Sequence, residues 1–148
     1  MLIPFEHSVL FLNFEHYFMK MERKILLTAT FFGCTAIILG AFGAHALKAV
    51  LNENQLISFE TGVRYQFYHA LFLLFLGTTN WVADKTKKII FYLILFGVLF
   101  FSGSIYLLAT NDLFSIDVKF LGPITPIGGL SLIMAWGVLF LSIFKQKR

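Results

Sequence analysis

One uncharged stretch decides the fold class: "IIFYLILFGVLFFSGSIYLLATN", which runs from Ile89 to Asn111. It begins directly after Lys88 and ends directly before Asp112. A helix that crosses the hydrocarbon core of a bilayer needs about 20 mainly apolar residues. A helix of a soluble bundle would carry a polar stripe along one side, and this stretch has none. It therefore predicts a transmembrane helix.

Three further windows of the same kind cover most of the chain. Phe120–Phe144 has no charged residue, and Tyr65–Ala83 and Ile25–Leu47 have none if His69 and His45 are neutral. The chain is 58% hydrophobic and 14% charged, against about 45–50% and about 25% for an ordinary globular domain. We therefore predict an all-α fold, an integral membrane four-helix bundle. The helices are expected at about residues 25–47, 65–83, 89–110 and 126–144.

The basic residues predict the orientation of these helices, because loops rich in Lys and Arg stay in the cytoplasm. Nine basic residues fall on one side of the predicted bundle: Lys20, Arg23, Lys24, Lys85, Lys87, Lys88, Lys145, Lys147 and Arg148. Three fall on the other side: Lys48, Arg64 and Lys119. Both termini are therefore expected to be cytoplasmic, in a multi-pass protein of the cell (cytoplasmic) membrane.

The first 20 residues differ from the rest of the chain. Residues 1–18, "MLIPFEHSVLFLNFEHYF", contain no Lys or Arg, so they lack the basic start of a signal peptide. Met19 and Met21 follow, next to the basic cluster expected before a first helix. Residues 1–20 are therefore expected to be an N-terminal extension from a mis-assigned start, ahead of a membrane domain at residues 21–148. The alternative is an amphipathic segment on the membrane surface.

A polar cluster lies against the start of the second apolar window, in "FETGVRYQFYHAL" (Phe59–Leu71). An acid and a base four residues apart, with the acid first, form a favourable pair on a helix. The helical spacing and the end of the first window place the following residues near one membrane face: His45, Glu60, Arg64, Tyr65, Tyr68 and His69. Two interpretations stay open. The cluster is a structural network between helices 1 and 2, or it binds a polar ligand or a lipid headgroup.

Two further patterns concern helix packing. Ala36, Gly40 and Ala44 repeat every four positions, a spacing of small residues that lets two helices approach closely in lipid. The contact is expected inside the bundle, with dimerisation as the alternative. In "GPITPIGG" (Gly122–Gly129), Thr125 is expected to cap the fourth helix and Pro126 to occupy its first position.

The sequence offers little for catalysis or for cofactors. Two histidines without an HxxxH motif or a set of cysteine ligands do not predict a metal or haem site. No nucleophile–base arrangement, phosphate-binding loop or carboxylate pair is visible, so an enzyme is the less favoured class.

The net charge of +4 does not indicate a nucleic-acid partner, because the basic residues flank the apolar windows instead of forming a patch. The lipid bilayer is the expected partner, together with a homo-oligomer or a membrane protein complex.

Three motifs in order resemble one known family: "GAFGAHALK" (Gly40–Lys48), "FETGVRYQFYHAL" and "GPITPIGG". The chain is similar to the small bacterial membrane proteins of the domain of unknown function 423 family. This family is also called uncharacterised protein family 0382, or YgdD/YwdK-like, and has an animal relative named transmembrane protein 256. The resemblance covers about residues 21–144 and implies a four-helix membrane protein. It supplies no catalytic residues.

Two function classes therefore remain. The first is a structural or accessory protein of the bacterial membrane. The second is a binder of a small polar molecule or a lipid headgroup, or a transporter of it as an oligomer, through the polar cluster. A water-filled cavity at the cluster would favour the binder, and a closed, fully paired cluster would favour the accessory protein.

The predicted orientation can be tested by labelling. Single cysteines at Ser115 and Lys147, introduced after Cys34 is replaced by serine, lie on opposite sides of the membrane in this topology. A membrane-impermeant thiol reagent added to intact cells should therefore label position 115 and spare position 147. Equal labelling at both positions would overturn the topology.

Overall fold

The computed structural model describes the backbone of residues 5–113 and 118–146, and the side chains of residues 21–113, 118 and 120–146. Within these ranges the fold contains helices and no strand. The four α-helices are α1 (Phe5–His45), α2 (Glu53–Thr78), α3 (Asp84–Ala109) and α4 (Ile124–Phe144). The prediction of an all-α membrane fold is confirmed.

Helix α2 begins well before the predicted start at residue 65. The segment Phe59–Arg64 is part of this one continuous helix. A capping box starts this helix: the Asn52 side chain accepts from the Gln55 backbone, and the Gln55 side chain accepts from the Asn52 backbone. The apolar window therefore marks only the inner part of α2.

The other helix ends also depart from the edges of the apolar windows. Helix α2 stops at Thr78, whereas the window ran to residue 83. Helix α3 starts at Asp84, ahead of the predicted residue 89, and an acidic residue in a first turn is favourable beside the positive end of a helix dipole. Charged residues can thus extend a membrane helix into the polar layer, which hydropathy alone does not reveal.

Residues 1–20 were expected to be an extension outside the membrane domain. In the described backbone, however, α1 begins at Phe5 and continues without a break into the membrane domain. The side chains of these residues lie outside the described part of the chain. Their role as an extension stays a prediction. At its other end, α1 stops at His45 and a short 3-10 turn follows at Leu47–Ala49.

Three helical segments in the described residues are long and apolar enough to cross a membrane: Met21–Ala49, Asp84–Ala109 and Ile124–Phe144. Helix α2 is not among them, because Arg64, Gln66 and His69 lower the hydropathy of its middle. Its 26 residues would still measure about 39 Å at 1.5 Å each, which exceeds the hydrocarbon core of about 30 Å. The fourth span and the cytoplasmic position of both termini stay predictions.

The helices pack in chain order: α1 on α2, α2 on α3, and α3 on α4. Helices α1 and α4 have no extensive contact with each other in the described residues. Ile25, Leu73, Leu76, Ile90 and Ile94 are fully buried between the packed helices. Many large apolar side chains point outward on all four helices, as expected where lipid replaces water.

The predicted small-residue stripe on α1 faces α2 only in part. Ala36 is buried, and Gly40 lies beside Val63 of α2, where an added Cβ would stand 3.5 Å from the Val63 Cγ1 atom. Ala44 is exposed. A distance of 3.5 Å is ordinary van der Waals contact, so the backbones of α1 and α2 do not come unusually close at Gly40.

Among the glycines of the described residues, the tightest backbone approach is at Gly128, between α3 and α4. A Cβ added at Gly128 of α4 would stand 2.7 Å from the Phe100 carbonyl carbon, and closer still to the Phe101 backbone nitrogen. A Cβ added at Gly97 of α3 would collide with the Leu132 side chain. Glycine at these two positions is therefore what allows the backbones to meet.

Replacement of Gly128 by alanine tests this contact. The added methyl group would meet a helix backbone that cannot move aside, so Gly128→Ala should destabilise the protein by about 1–3 kcal/mol. Gly137→Ala is the matched control on the same helix, because nothing lies within 4 Å of its added Cβ. Reversible unfolding in mild detergent would measure both. Equal stabilities for the two variants would show that α4 can shift away from α3.

Candidate functional site

The polar centre of the bundle is Gln66, which lies on α2 and is only 6% exposed. Its amide nitrogen donates to the Phe32 carbonyl oxygen at 2.9 Å and to the Thr35 hydroxyl oxygen at 2.7 Å, both on α1. Its amide oxygen accepts from the Tyr106 hydroxyl of α3 at 2.9 Å. One side chain therefore joins three helices.

The hydrogen bonds around Gln66 are mutually consistent. The Thr35 hydroxyl donates to the Phe31 carbonyl oxygen of its own helix at 2.8 Å, which leaves its oxygen free to accept from Gln66. The two amide hydrogens and the amide oxygen of Gln66 all have partners. An unpaired amide buried away from water costs several kcal/mol. This pairing therefore fixes the rotation and the depth of α1, α2 and α3 relative to one another.

His69 is the only member of the predicted cluster that is buried. Its Nδ1 atom lies 2.8 Å from the Tyr65 carbonyl oxygen. A carbonyl oxygen can only accept, so Nδ1 carries the hydrogen and Nε2 keeps a lone pair. Among the described residues, His69 Nε2 and Ser102 Oγ are the two buried side-chain polar atoms without a hydrogen-bond partner.

These two atoms lie on facing helices at a similar depth. His69 follows Gln66 by three residues, and Ser102 precedes Tyr106 by four. Helices α2 and α3 are antiparallel, and Gln66 bonds to Tyr106. His69 and Ser102 therefore both lie about one turn from this bond, on the same side of it, in the interface between α2 and α3. One atom is an acceptor and the other carries a donor, so their unused hydrogen-bonding capacities are complementary.

Glu60 and Arg64 are exposed and do not form the predicted pair. The Arg64 side chain makes two long hydrogen bonds of 3.4 Å, to the Glu60 carbonyl oxygen and to the Thr61 hydroxyl. The Glu60 carboxylate is not within ion-pair distance of the guanidinium. The ion pair found in the described residues is Lys87–Glu22, at 2.7 Å, with the Lys87 side chain 3% exposed.

The remaining members of the cluster lie at its edge. Tyr65 and Tyr68 are 41% and 55% exposed, and the Tyr65 ring packs on Phe101 with its centroid 4.8 Å away. His45 is exposed at the end of α1. The structure therefore brings Tyr65, Tyr68 and His69 together on one helix and leaves His45 apart. It does not form one connected site from all six residues.

Thr125 has a role that differs from the predicted one. Helix α4 begins at Ile124, so Thr125 and Pro126 lie within its first turn, and the N-cap position is Pro123. The Thr125 hydroxyl bonds to the Ser104 hydroxyl of α3 at 2.6 Å. It joins two helices instead of capping one. Pro126 is tolerated there because the first turn of a helix needs no backbone donor.

Several residues of this polar framework were missed by the sequence analysis. Gln66 lay inside the quoted motif but was not assigned, and Tyr106 looked like one more aromatic residue of an apolar window. The polar signal that could have found Gln66 is its position just inside the start of a predicted span, where a buried primary amide needs partners. The described residues contain no group of three or more histidine, cysteine or acidic side chains that could hold a metal ion.

The comparisons with known proteins agree with this architecture. The family model described as "Protein of unknown function (DUF423)" matches residues 39–129, which is more than half of the chain. The chain belongs to this family. The resemblance inferred from the three sequence motifs is confirmed, and the matched range contains the whole Gln66–Tyr106 contact.

Curated relatives extend the match over most of the chain. A UPF0382 membrane protein of Staphylococcus haemolyticus is 41% identical over 106 residues, 72% of this chain and 83% of the relative. YwdK of Bacillus subtilis is 36% identical, over 74% of this chain and 87% of its own length. The inner membrane protein YgdD of Escherichia coli is 31% identical, over 86% and 94%. No solved structure matches significantly. The chain is thus a membrane protein of an uncharacterised family.

The contact between Gln66 and Tyr106 predicts an energetic coupling. Gln66→Leu removes the acceptor of the Tyr106 hydroxyl, and Tyr106→Phe removes the donor, so either change alone breaks the same bond. The two losses of stability should therefore be non-additive, with a coupling of about 0.6 kcal/mol and at most about 1.7 kcal/mol for polar pairs in membranes. A double-mutant cycle on unfolding in detergent or bicelles measures this coupling.

Thr30→Val combined with Tyr106→Phe is the control for this cycle. The Thr30 hydroxyl donates only to carbonyl oxygens of its own helix, so these two changes should add. Additive losses for Gln66→Leu and Tyr106→Phe as well would show that the bond does not connect α2 to α3 in solution.

Proposed function

We propose that the protein is a non-catalytic accessory unit of the bacterial cytoplasmic membrane, which acts by presenting its outer helix faces to another membrane protein or to a second copy. The observation that carries this proposal is the closed network at Gln66. Both amide hydrogens and the amide oxygen of Gln66 are bonded within the protein, so this side chain holds the helices together and is not available to a substrate.

The outer surface supports the same proposal. Helices α1 and α4 have no extensive contact with each other in the described part of the chain, and each presents large apolar side chains outward, such as Ile37 at 64% and Ile133 at 68% exposure. Both faces are suited to lipid or to another helix. In this proposal all four helices cross the membrane, with both termini in the cytoplasm, as the basic residues predict.

The relative YgdD is named as an inner membrane protein, which supports placement in the cytoplasmic membrane. The alternative function, a binder of a small polar molecule or lipid headgroup, has one specific observation in its favour. Glu60 and Arg64 are exposed on one helix and line one groove without pairing with each other.

Photo-crosslinking in native membranes tests the accessory role. A diazirine-bearing aliphatic residue, similar in size to isoleucine, is placed at Ile37 or at Ile133. At least one position should give a discrete protein adduct of fixed size, because a partner helix would lie against it. The same residue at Ile94, which is fully buried, should give no adduct with another protein. If both exposed positions give only lipid adducts, the accessory role is contradicted.

A further inference from the structure

A groove runs between the end of α1 and the outer part of α2, with a volume of about 260 Å³. Its lining residues are Gly40, Gly43, Phe59, Glu60, Val63 and Arg64. The glycines leave the α1 wall without side chains, and Phe59 and Val63 make the α2 wall apolar. Two side chains of opposite charge therefore border an apolar channel that opens to the outside of the helix pair.

The two charges in this groove are unpaired with each other. Glu60 and Arg64 are both exposed, and no ion pair joins them in the described residues. The guanidinium makes only the two long contacts of 3.4 Å to its own helix. An acid and a base one turn apart on a helix usually gain from direct pairing. Because this pair is not formed here, both charged groups can interact with an outside group.

The groove is expected at the depth of the lipid headgroups. Gly43 packs against Phe59, so this part of α2 lies level with the last turn of α1, which ends at His45. Tyr65 and Tyr68 are exposed on the same stretch of α2, and tyrosines collect at the boundary between headgroups and hydrocarbon.

The two charges are also ordered along the membrane normal. Helix α2 starts at the face where α1 ends and runs inward, so Arg64 lies four residues, or about 6 Å at 1.5 Å each, deeper than Glu60. In an amine-bearing phospholipid the phosphate is attached to the glycerol and the ammonium lies beyond it, further from the hydrocarbon. A phosphate would therefore meet Arg64 while the ammonium of the same headgroup meets Glu60.

We propose that this groove binds a phospholipid whose headgroup carries both a phosphate and a primary ammonium, with Arg64 on the phosphate, Glu60 on the ammonium and an acyl chain along the wall formed by Gly40 and Gly43. Arginine suits this role because its planar donors match phosphate oxygens. A headgroup with a phosphate alone leaves Glu60 opposed to a like charge. A choline headgroup has no N–H to donate to the carboxylate. The inference is independent of the accessory role.

Competition among defined lipids tests the proposal on the full chain. The purified protein is incubated with equal amounts of phosphatidylethanolamine, phosphatidylglycerol and phosphatidylcholine of the same acyl chains, and retained lipid is counted by native mass spectrometry. Phosphatidylethanolamine should be retained several-fold over the other two. Glu60→Gln should remove its advantage over phosphatidylglycerol, and Arg64→Gln should lower retention of all three lipids.

Two matched variants isolate the order of the charges. The exchange Glu60→Arg with Arg64→Glu keeps the composition and the net charge but reverses the order with depth, so it should abolish the preference. Glu53→Gln, an exposed acid on the same helix outside the groove, should leave the preference intact. Equal retention of the three lipids by the native protein, or an unchanged preference after the exchange, would overturn the proposal. Neither result bears on the protein adducts that test the accessory role.

Discussion

The fold depends on the requirement that a buried amide must be fully hydrogen-bonded where no water is available. Gln66 meets this requirement with partners on two other helices, Phe32 and Thr35 on α1 and Tyr106 on α3. Apolar packing in lipid provides little force to choose one helix register over another, because lipid chains are as apolar as leucine. The amide supplies that choice, since a shift by one turn would leave at least one of its atoms unpaired.

Other polar contacts act at different places in the bundle. The Lys87–Glu22 ion pair links α3 to α1 at the opposite end of the bundle, and the Ser131 hydroxyl donates to the Leu93 carbonyl oxygen between α4 and α3. Glycine at positions 97 and 128 sets the distance between α3 and α4. Each neighbouring helix pair therefore combines packing with at least one directional bond.

Sequence reasoning recovered the fold class and the family but only part of the polar architecture. The uncharged window from residue 89 to 111 predicts α3 well, because length and hydropathy are properties of one segment. The partners of Gln66 could not be predicted, since they depend on which helix faces which and at what depth. The expected Glu60–Arg64 pair rested on spacing alone. Spacing places two side chains on one helix face, but it does not determine whether they turn toward each other or toward a groove. Thr125 was misassigned for a similar reason, because a partner on another helix took its hydroxyl.

The low hydropathy of α2 has a consequence for the biogenesis of the protein. Gln66 and His69 lie in the apolar part of α2 and make its insertion less favourable, while each leucine contributes only a few tenths of a kcal/mol in favour. If α2 crosses the bilayer, it enters lipid most readily as a hairpin with α1. In such a hairpin the Phe32 carbonyl and the Thr35 hydroxyl of α1 can accept from the Gln66 amide. The six residues between the last residue of α1 and the capping residue of α2 (46–51) keep the two segments close while the chain is still being synthesised. The order of synthesis and the order of packing would then coincide, from α1 through to α4.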